Sequence, residues 1–453
     1  MSRRPCPAVT PPPAWAFPEV ADHVLPSGLR VRCVDLPGQH VVSVRVAVPL
    51  TLTAEPRDRE GVALVMARTL DEGTRAHDAE QMAQRIEGAG IALGAGVGER
   101  GLVVELEVPG SSFPEALGLL AECLVDPVFP EPEVARHVRS RLTDIAHERA
   151  DAGSRAALEF IGSYYDATDR AARPAGGSAD TVGAVSATDV RAFHAAHVHP
   201  DRAFVVVAGD VNGMPGAPAD LVDRALGRWS ATQGQRRPGA SSGARAPDAG
   251  RVVLVDRPGA AQTELYLGRP GPDRRTPHGW GAFQVLAFLL GGSPQARIDA
   301  VLREGLGYTY GIRAGFRPRR SGGLCVVSGA VRADATVEAV AALQEVLSFT
   351  GDDLTDDEVR HAADFVAKTA PGRYATSDAV ADQVVRLGLD GLDVDTVTST
   401  VEQVRTLDRS RVAAAWDEVR AGPAWTLVVV GDATLHAEGL ATTGFGEVTV
   451  VRG

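Results

Sequence analysis

The chain has 453 residues, 44% hydrophobic and 23% charged, a composition that supports folded cores over most of its length. Its 58 acidic and 46 basic residues leave a net charge of −12, which argues against nucleic acid as a partner. No run approaches about 18 consecutive apolar residues, so no membrane span is expected, and the proline-rich start lacks the apolar core of a signal peptide, so the expected compartment is the cytoplasm.

Residues 1–19 read as a flexible lead. From Val31 to Val48, VRCVDLPGQHVVSVRVAV spells a strand, a tight turn opening at Asp35 and a second strand. Helical spacing follows at Ala79–Glu87, Pro114–Val125, Glu131–Arg149, Arg155–Tyr165 and Ala187–Ala196, with strand-like runs at Leu102–Val108 and in AFVVVAGD, Ala203 to Asp210. Residues 231–250, rich in Gly, Ala, Ser and Pro, carry no apolar periodicity and read as a linker.

Beyond the linker the pattern begins again. VVLVDRPGAAQTELYLG repeats the hairpin with its turn at Asp256, 221 residues after Asp35, and WTLVVVGD repeats the later strand with Asp432, 222 residues after Asp210. Two pairs at nearly one offset indicate a duplication, with domains at residues 20–230 and 251–453. The second domain is expected to hold helices at Trp280–Leu290, Ala296–Glu304, Ala335–Leu347 and Asp356–Ala367 around a strand at Leu324–Val331, the last helix opened by a Thr355/Glu358 capping box. Helices grouped against a mostly antiparallel sheet make an α+β fold, present twice.

Several tempting sites fail on context. His194, His197 and His199 crowd the polar end of a helix that stops before Pro200, which suits cap and surface roles better than a metal site. His147 precedes Glu148, but an HExxH helix needs a second His where Asp151 stands, and no His follows a Glu as the inverted motif requires. Gly96, Gly98 and Gly101 spell GxGxxG with a helix before and a strand after, the reverse of a dinucleotide site. Cys6, Cys33, Cys123 and Cys325 are too scattered for a zinc ribbon or a redox pair.

One segment, LGGSPQARIDAVLREGLGYTYG from Leu290 to Gly311, sets Arg297 after a glycine turn and Tyr308 and Tyr310 on a second one. Together with the D-x-P-G hairpins and the linked halves, it resembles the shorter M16B branch of the M16 zinc peptidases, the insulinase or pitrilysin family, whose motif LGGxxxSRLxxxLREKxGLAYxV aligns here without a gap. The resemblance places Arg297 and Tyr310 on the family's arginine and tyrosine, with Tyr308 in place of the usual Leu. It implies two homologous α/β sandwich domains of M16 type.

The family's zinc helix, G-x-A-H-F-L-E-H-x-L-x-x-G-T, aligns with GVALVMARTLDEGT from Gly61 to Thr74. Both histidines and the glutamate are replaced, by Leu64, Arg68 and Ala67, and the third ligand position falls near Asp144. A lone carboxylate beside an arginine will not hold zinc, so no metal is expected in this chain. The resemblance therefore implies the zinc-free subunit of a heterodimer, in which Arg297 and Tyr310 bind an extended peptide opposite a partner bearing HxxEH and Zn2+. The alternative is a non-catalytic pseudopeptidase that binds peptides or scaffolds an assembly, for example as a homodimer.

Overall fold

The structure, a computed structural model, describes residues 10, 13–229 and 242–452. The first half builds a six-stranded sheet from β1 (Ala21–Val24), β2 (Arg30–Asp35), β3 (Val41–Val48), β4 (Ala92–Val97), β5 (Leu102–Pro109) and β6 (Phe204–Gly209), in the order β1-β2-β6-β3-β5-β4. The second half repeats it with β7 (Val252–Asp256), β8 (Gln262–Gly271), β9 (Arg313–Pro318), β10 (Gly323–Arg332), β11 (Thr426–Gly431) and β12 (Val448–Val451), in the order β12-β7-β11-β8-β10-β9. In both sheets the hairpin's first strand pairs in parallel with the later strand, β2 with β6 and β7 with β11, while the inner neighbours run antiparallel. The two outer strands β1 and β12 come from opposite ends of the chain, β1 antiparallel to β2 and β12 parallel to β7.

The motifs that repeat in the sequence meet in space. Gly38 and Gly259, at the ends of the two D-x-P-G turns, take left-handed φ of 85° and 70°, which a side chain disfavours. Their N–H groups donate to Asp210 Oδ2 at 3.2 Å and Asp432 Oδ2 at 2.9 Å. Each aspartate thus ties a hairpin turn to the strand beside it, which explains why both elements recur at one offset.

Both faces of each sheet are covered, so β6 and β11 are buried along their whole length. One face carries the half's own helices: Phe113–Val125, Glu131–Ala150 and Ala187–His197 help close the first core, and Trp280–Gly291, Thr336–Leu347 and Asp356–Thr369 the second. The other face is covered by the opposite half. Helix Ala152–Tyr164 lies on β8 and β11, with Phe160, Tyr164 and Tyr165 packed among Val253, Val326 and Val428. Its counterpart, helix Ser377–Asp390, lies on β3 and β6, with Val380, Val384 and Leu387 against Val34, Ala47 and Phe204.

This exchange changes two expectations. The lead is anchored at Trp15 and Phe17: Trp15 stacks on Tyr374 at 5.6 Å, and buried Phe17 meets the same ring in a T-shaped contact at 5.1 Å. Residues 1–9 and 11–12 lie outside the described residues, as do linker residues 230–241. The linker's remainder is not a free tether: Asp166 N–H donates to Ala244 O at 2.8 Å, Ala246 N–H to Tyr164 O at 2.8 Å, and Arg245 bridges Tyr165. It is held because it follows the exchanged helix along its seam.

Element boundaries shifted where caps act. The helix expected from Arg155 starts at Ala152, because the Asp151 carboxylate accepts the Ser154 N–H. The helix expected at Ala296–Glu304 is a single α-turn, Arg297–Asp299, that widens into a π-turn at Ala300–Gly305. Thr355 caps Glu358 N–H at 3.2 Å, but the Glu358 side chain does not return the bond, having a stronger partner in Arg297.

Candidate functional site

In the first half, helix Val62–Arg68 lies beside β4, entered through Gly61 at a φ of 99°. The Glu55 carboxylate accepts the N–H groups of Gly61 at 2.9 Å and Ala63 at 3.1 Å, and its other oxygen pairs with buried Arg170 at 2.8 Å. Leu64 and Arg68 are one turn apart and share a half-buried face, while Ala67 points into the core. Arg68 donates to Asp144 Oδ2 at 2.8 Å from the adjacent helix Glu131–Ala150. Next to this pair, buried Arg141 donates to Gly176 O at 3.1 Å and to the Glu148 carboxylate at 3.0 Å.

The donor set does not fit a zinc ion. Leu64 and Ala67 have no lone pair to offer, and a guanidinium stands where a second imidazole would be needed, already neutralising Asp144. Glu148 is taken by Arg141, so it is no substitute ligand. Among the described residues no group of three His, Cys, Asp or Glu side chains is placed to hold a metal.

The second half presents a tyrosine on a braced turn. Ile312 N–H donates to Asp299 Oδ1 at 2.9 Å, and Thr309 Oγ1 donates to Ala330 O at 2.6 Å, so the loop is pinned on both sides of Tyr310. Tyr308 packs against the core, whereas Tyr310 is 92% exposed. Of the two tyrosines, Tyr310 is the more exposed.

Arg297 is more constrained than its motif suggests. Its Nε and NH2 form a bidentate pair with Glu358 at 2.7 and 2.8 Å, NH2 also reaches Asp353 O at 2.7 Å, and the guanidinium lies over the Phe349 ring at 4.4 Å. NH1 makes no hydrogen bond among the described residues, so part of the fork stays available. Neither Arg297 nor Tyr310 shares a hydrogen bond or ion pair with Arg68 or Asp144.

Cys6 lies outside the described residues, and several of the other side chains singled out above have structural roles. His194 bonds Leu124 O at 3.0 Å and lies against Phe129; burial holds its imidazole below its ordinary pKa despite that bond. His197 packs on Phe193. Cys33, Cys123 and Cys325 are buried free thiols, Cys123 pushed up to about 12 by desolvation, and therefore inert.

Sequence patterning missed several elements, among them helix Ser377–Asp390 and, next to the candidate site, β4. This strand covers ALGAGV, which contains Gly96 of the rejected GxGxxG and ends just before Gly98, and it forms an edge of the first sheet, pairing among the described residues only with β5. As the outermost strand it has an unpaired backbone edge among the described residues, beside helix Val62–Arg68, and side chains added at Gly94, Gly96 or Gly98 would meet nothing within 4 Å. Its two glycines erased the β-branched alternation that announces a strand.

Two family profiles match the chain: "Insulinase (Peptidase family M16)" over residues 30–163 and "Peptidase M16 inactive domain" over residues 184–364. An uncharacterized zinc protease of Mycobacterium leprae is 28% identical over 345 residues, 75% of each chain. One from Mycobacterium tuberculosis is 30% identical over 298 residues, 64% of this chain and 65% of its own. Among solved structures, a peptidase M16 inactive domain from Pseudomonas fluorescens superposes with a TM-score of 0.78 at 23% identity, over 91% of this chain and 98% of its own. A protease from Helicobacter pylori does so with a TM-score of 0.79 at 17% identity, over 91% and 100%. The duplicated sheets, the zinc-helix frame and these matches together place the chain in the peptidase M16, or insulinase, family.

Proposed function

We propose that this chain is the zinc-free subunit of a heterodimeric M16B endopeptidase. The observation that carries the reading is the Arg68–Asp144 ion pair at the zinc-helix position, combined with an exposed Tyr310 on a braced turn in the other half. Relatives named zinc proteases share the family, yet at the zinc-helix position this chain has Leu64, Ala67 and Arg68, which cannot hold a metal to activate a water. The metal and the proton-moving carboxylate then belong to a partner with an HxxEH helix. This chain's part is to hold the substrate: β4 offers an open edge to which an extended peptide can add as a strand, Tyr310 a directed phenol, and Arg297 the free NH1 of its guanidinium. Glu358 positions that guanidinium.

The test is reconstitution with an HxxEH chain and a peptide-cleavage assay. Tyr310→Phe and Arg297→Ala are each expected to lower kcat/KM roughly 10 to 1000-fold, the range for losing an oxyanion donor. Full activity in both variants, or zinc-dependent cleavage by the lone chain, would overturn the proposal. The second reading, a peptide-binding pseudopeptidase that works as a homodimer, is favoured by one observation. The bidentate grip of Glu358 gives Arg297 a structural use without any substrate.

A further inference from the structure

The chain is acidic overall, but the seam between its halves is not. A cavity of about 510 Å3 opens there, walled by Arg100, Arg170, Arg173, Arg319 and Arg320. Leu52, Ile161 and Leu389 add aliphatic surface to its lining, and among the described residues Glu99 is the only carboxylate in it. A second cavity of about 570 Å3 shares Arg100, adds Arg274, Arg317 and Arg386, and among the described residues is lined by no carboxylate.

The arginines are only partly neutralised. Arg100 pairs with Asp390 at 2.6 Å, Arg170 with Glu55 at 2.8 Å, Arg173 with Glu60 at 2.8 Å and Arg319 with Glu99 at 2.9 Å. Arg274, Arg317, Arg320 and Arg386 have no ion pair among the described residues. Eight arginines thus face four partner carboxylates. Two guanidinium nitrogens, Arg319 NH1 and Arg274 Nε, are buried without a hydrogen-bond acceptor among the described residues, whereas Arg170 Nε lies 3.6 Å from Glu60 Oε1. Such donors in a low-dielectric cleft concentrate a positive field that an anionic ligand would satisfy.

The position of the cavity indicates what kind of anion. Glu99 and Arg100 follow directly on β4, so a chain paired along that edge runs into the cavity at one end. Ala175 lines the cavity, and its neighbour Gly176 packs against Leu64 and Arg141 beside the degenerate zinc position. The mixed lining suits side chains with an aliphatic stem and a charged head.

We infer that this seam binds the Asp and Glu side chains of an extended peptide, making acidic peptides the ligand class of the chain. The inference rests on the reading of the chain as the peptide-holding subunit. It assigns the two cavities as one subsite continuous with β4.

The full chain is titrated by fluorescence anisotropy with two labelled peptides of equal length, one Glu-rich and one with every Glu replaced by Lys. The Glu-rich peptide should bind at least roughly tenfold more tightly, and more weakly as salt rises. Arg320→Glu and Arg386→Glu, which break no ion pair, should each weaken it about fivefold with unchanged thermal midpoints. Equal or tighter binding of the Lys-rich peptide overturns the inference, as does binding indifferent to salt. Citrate binding more tightly than the peptide also overturns it, since the site would then be one for small anions. If a variant fails to fold, the salt titration of the unmodified chain decides alone. Because the reconstituted cleavage assay can succeed with a peptide of any charge, this inference can fail while the subunit assignment stands.

Discussion

The two places where a helix of one half docks on the sheet of the other make a close pair. On the second sheet, the Phe160 ring of helix Ala152–Tyr164 sits on Gly268 of β8; on the first, Phe204 of β6 sits on Gly388 of helix Ser377–Asp390. The large residue is on the helix in one case and on the strand in the other. Duplication has preserved the depth of the joint while exchanging which side supplies the bulk, since packing needs only that the volumes be complementary. The helices that follow β3 and β8 diverged further. Trp280–Gly291 is almost wholly buried, whereas Val62–Arg68 keeps the half-buried face of Leu64 and Arg68.

Breaking the joint should produce the largest effect. Phe160→Ala removes a fully buried ring, and a loss of about 3–5 kcal/mol in unfolding free energy is expected from denaturant titration. Because each half covers the other's sheet, one cooperative transition should remain; two separated transitions would show that the halves are independent. Gly268→Ala and Gly388→Ala place a methyl group against an aromatic ring at each joint, and each should cost about 1–3 kcal/mol. Similar values from the two would confirm equivalent joints, and a tolerated substitution at one alone would mark that joint as looser.

A pH titration sharpens the comparison from another side. His194 of the first half has its pKa lowered chiefly by burial, partly offset by its bond to Leu124 O, and His436 of the second half is lowered chiefly by burial too. The folded state therefore favours the neutral ring. The stability this gives is present above the ordinary histidine pKa of about 6.5 and is lost as the pH falls through the lower folded value. His194→Gln should flatten the fall of Tm between about pH 6.5 and 5. The smallest change is expected from Arg68→Ala. Its pair with Asp144 is about a third exposed on both sides, so less than about 1 kcal/mol should be lost, with no gain of zinc by metal analysis. A larger cost would mean that the pair is a structural replacement for the metal.

Much of this was legible along the chain. The paired turns and strands recur at 221 and 222 residues because each aspartate must reach the turn of its own hairpin, and a local anchor leaves a local pattern. Leu64, Ala67, Arg68 and Asp144 were readable only through the resemblance, because the family's zinc-helix frame aligns with Gly61 to Thr74. Tyr310 was separable from Tyr308 only once one ring was packed and the other exposed. The Glu358 grip on Arg297 spans 61 positions and was masked by a plausible capping box.

The sequence by itself determined two halves of one kind and a zinc helix stripped of its ligands, since repeats and missing donors are matters of residue identity. The tertiary structure alone decided that the halves exchange helices, that β4 is an open edge, and that scattered arginines converge on one seam. These features depend on which distant surfaces meet, and burial and charge at such a meeting leave no period in the chain.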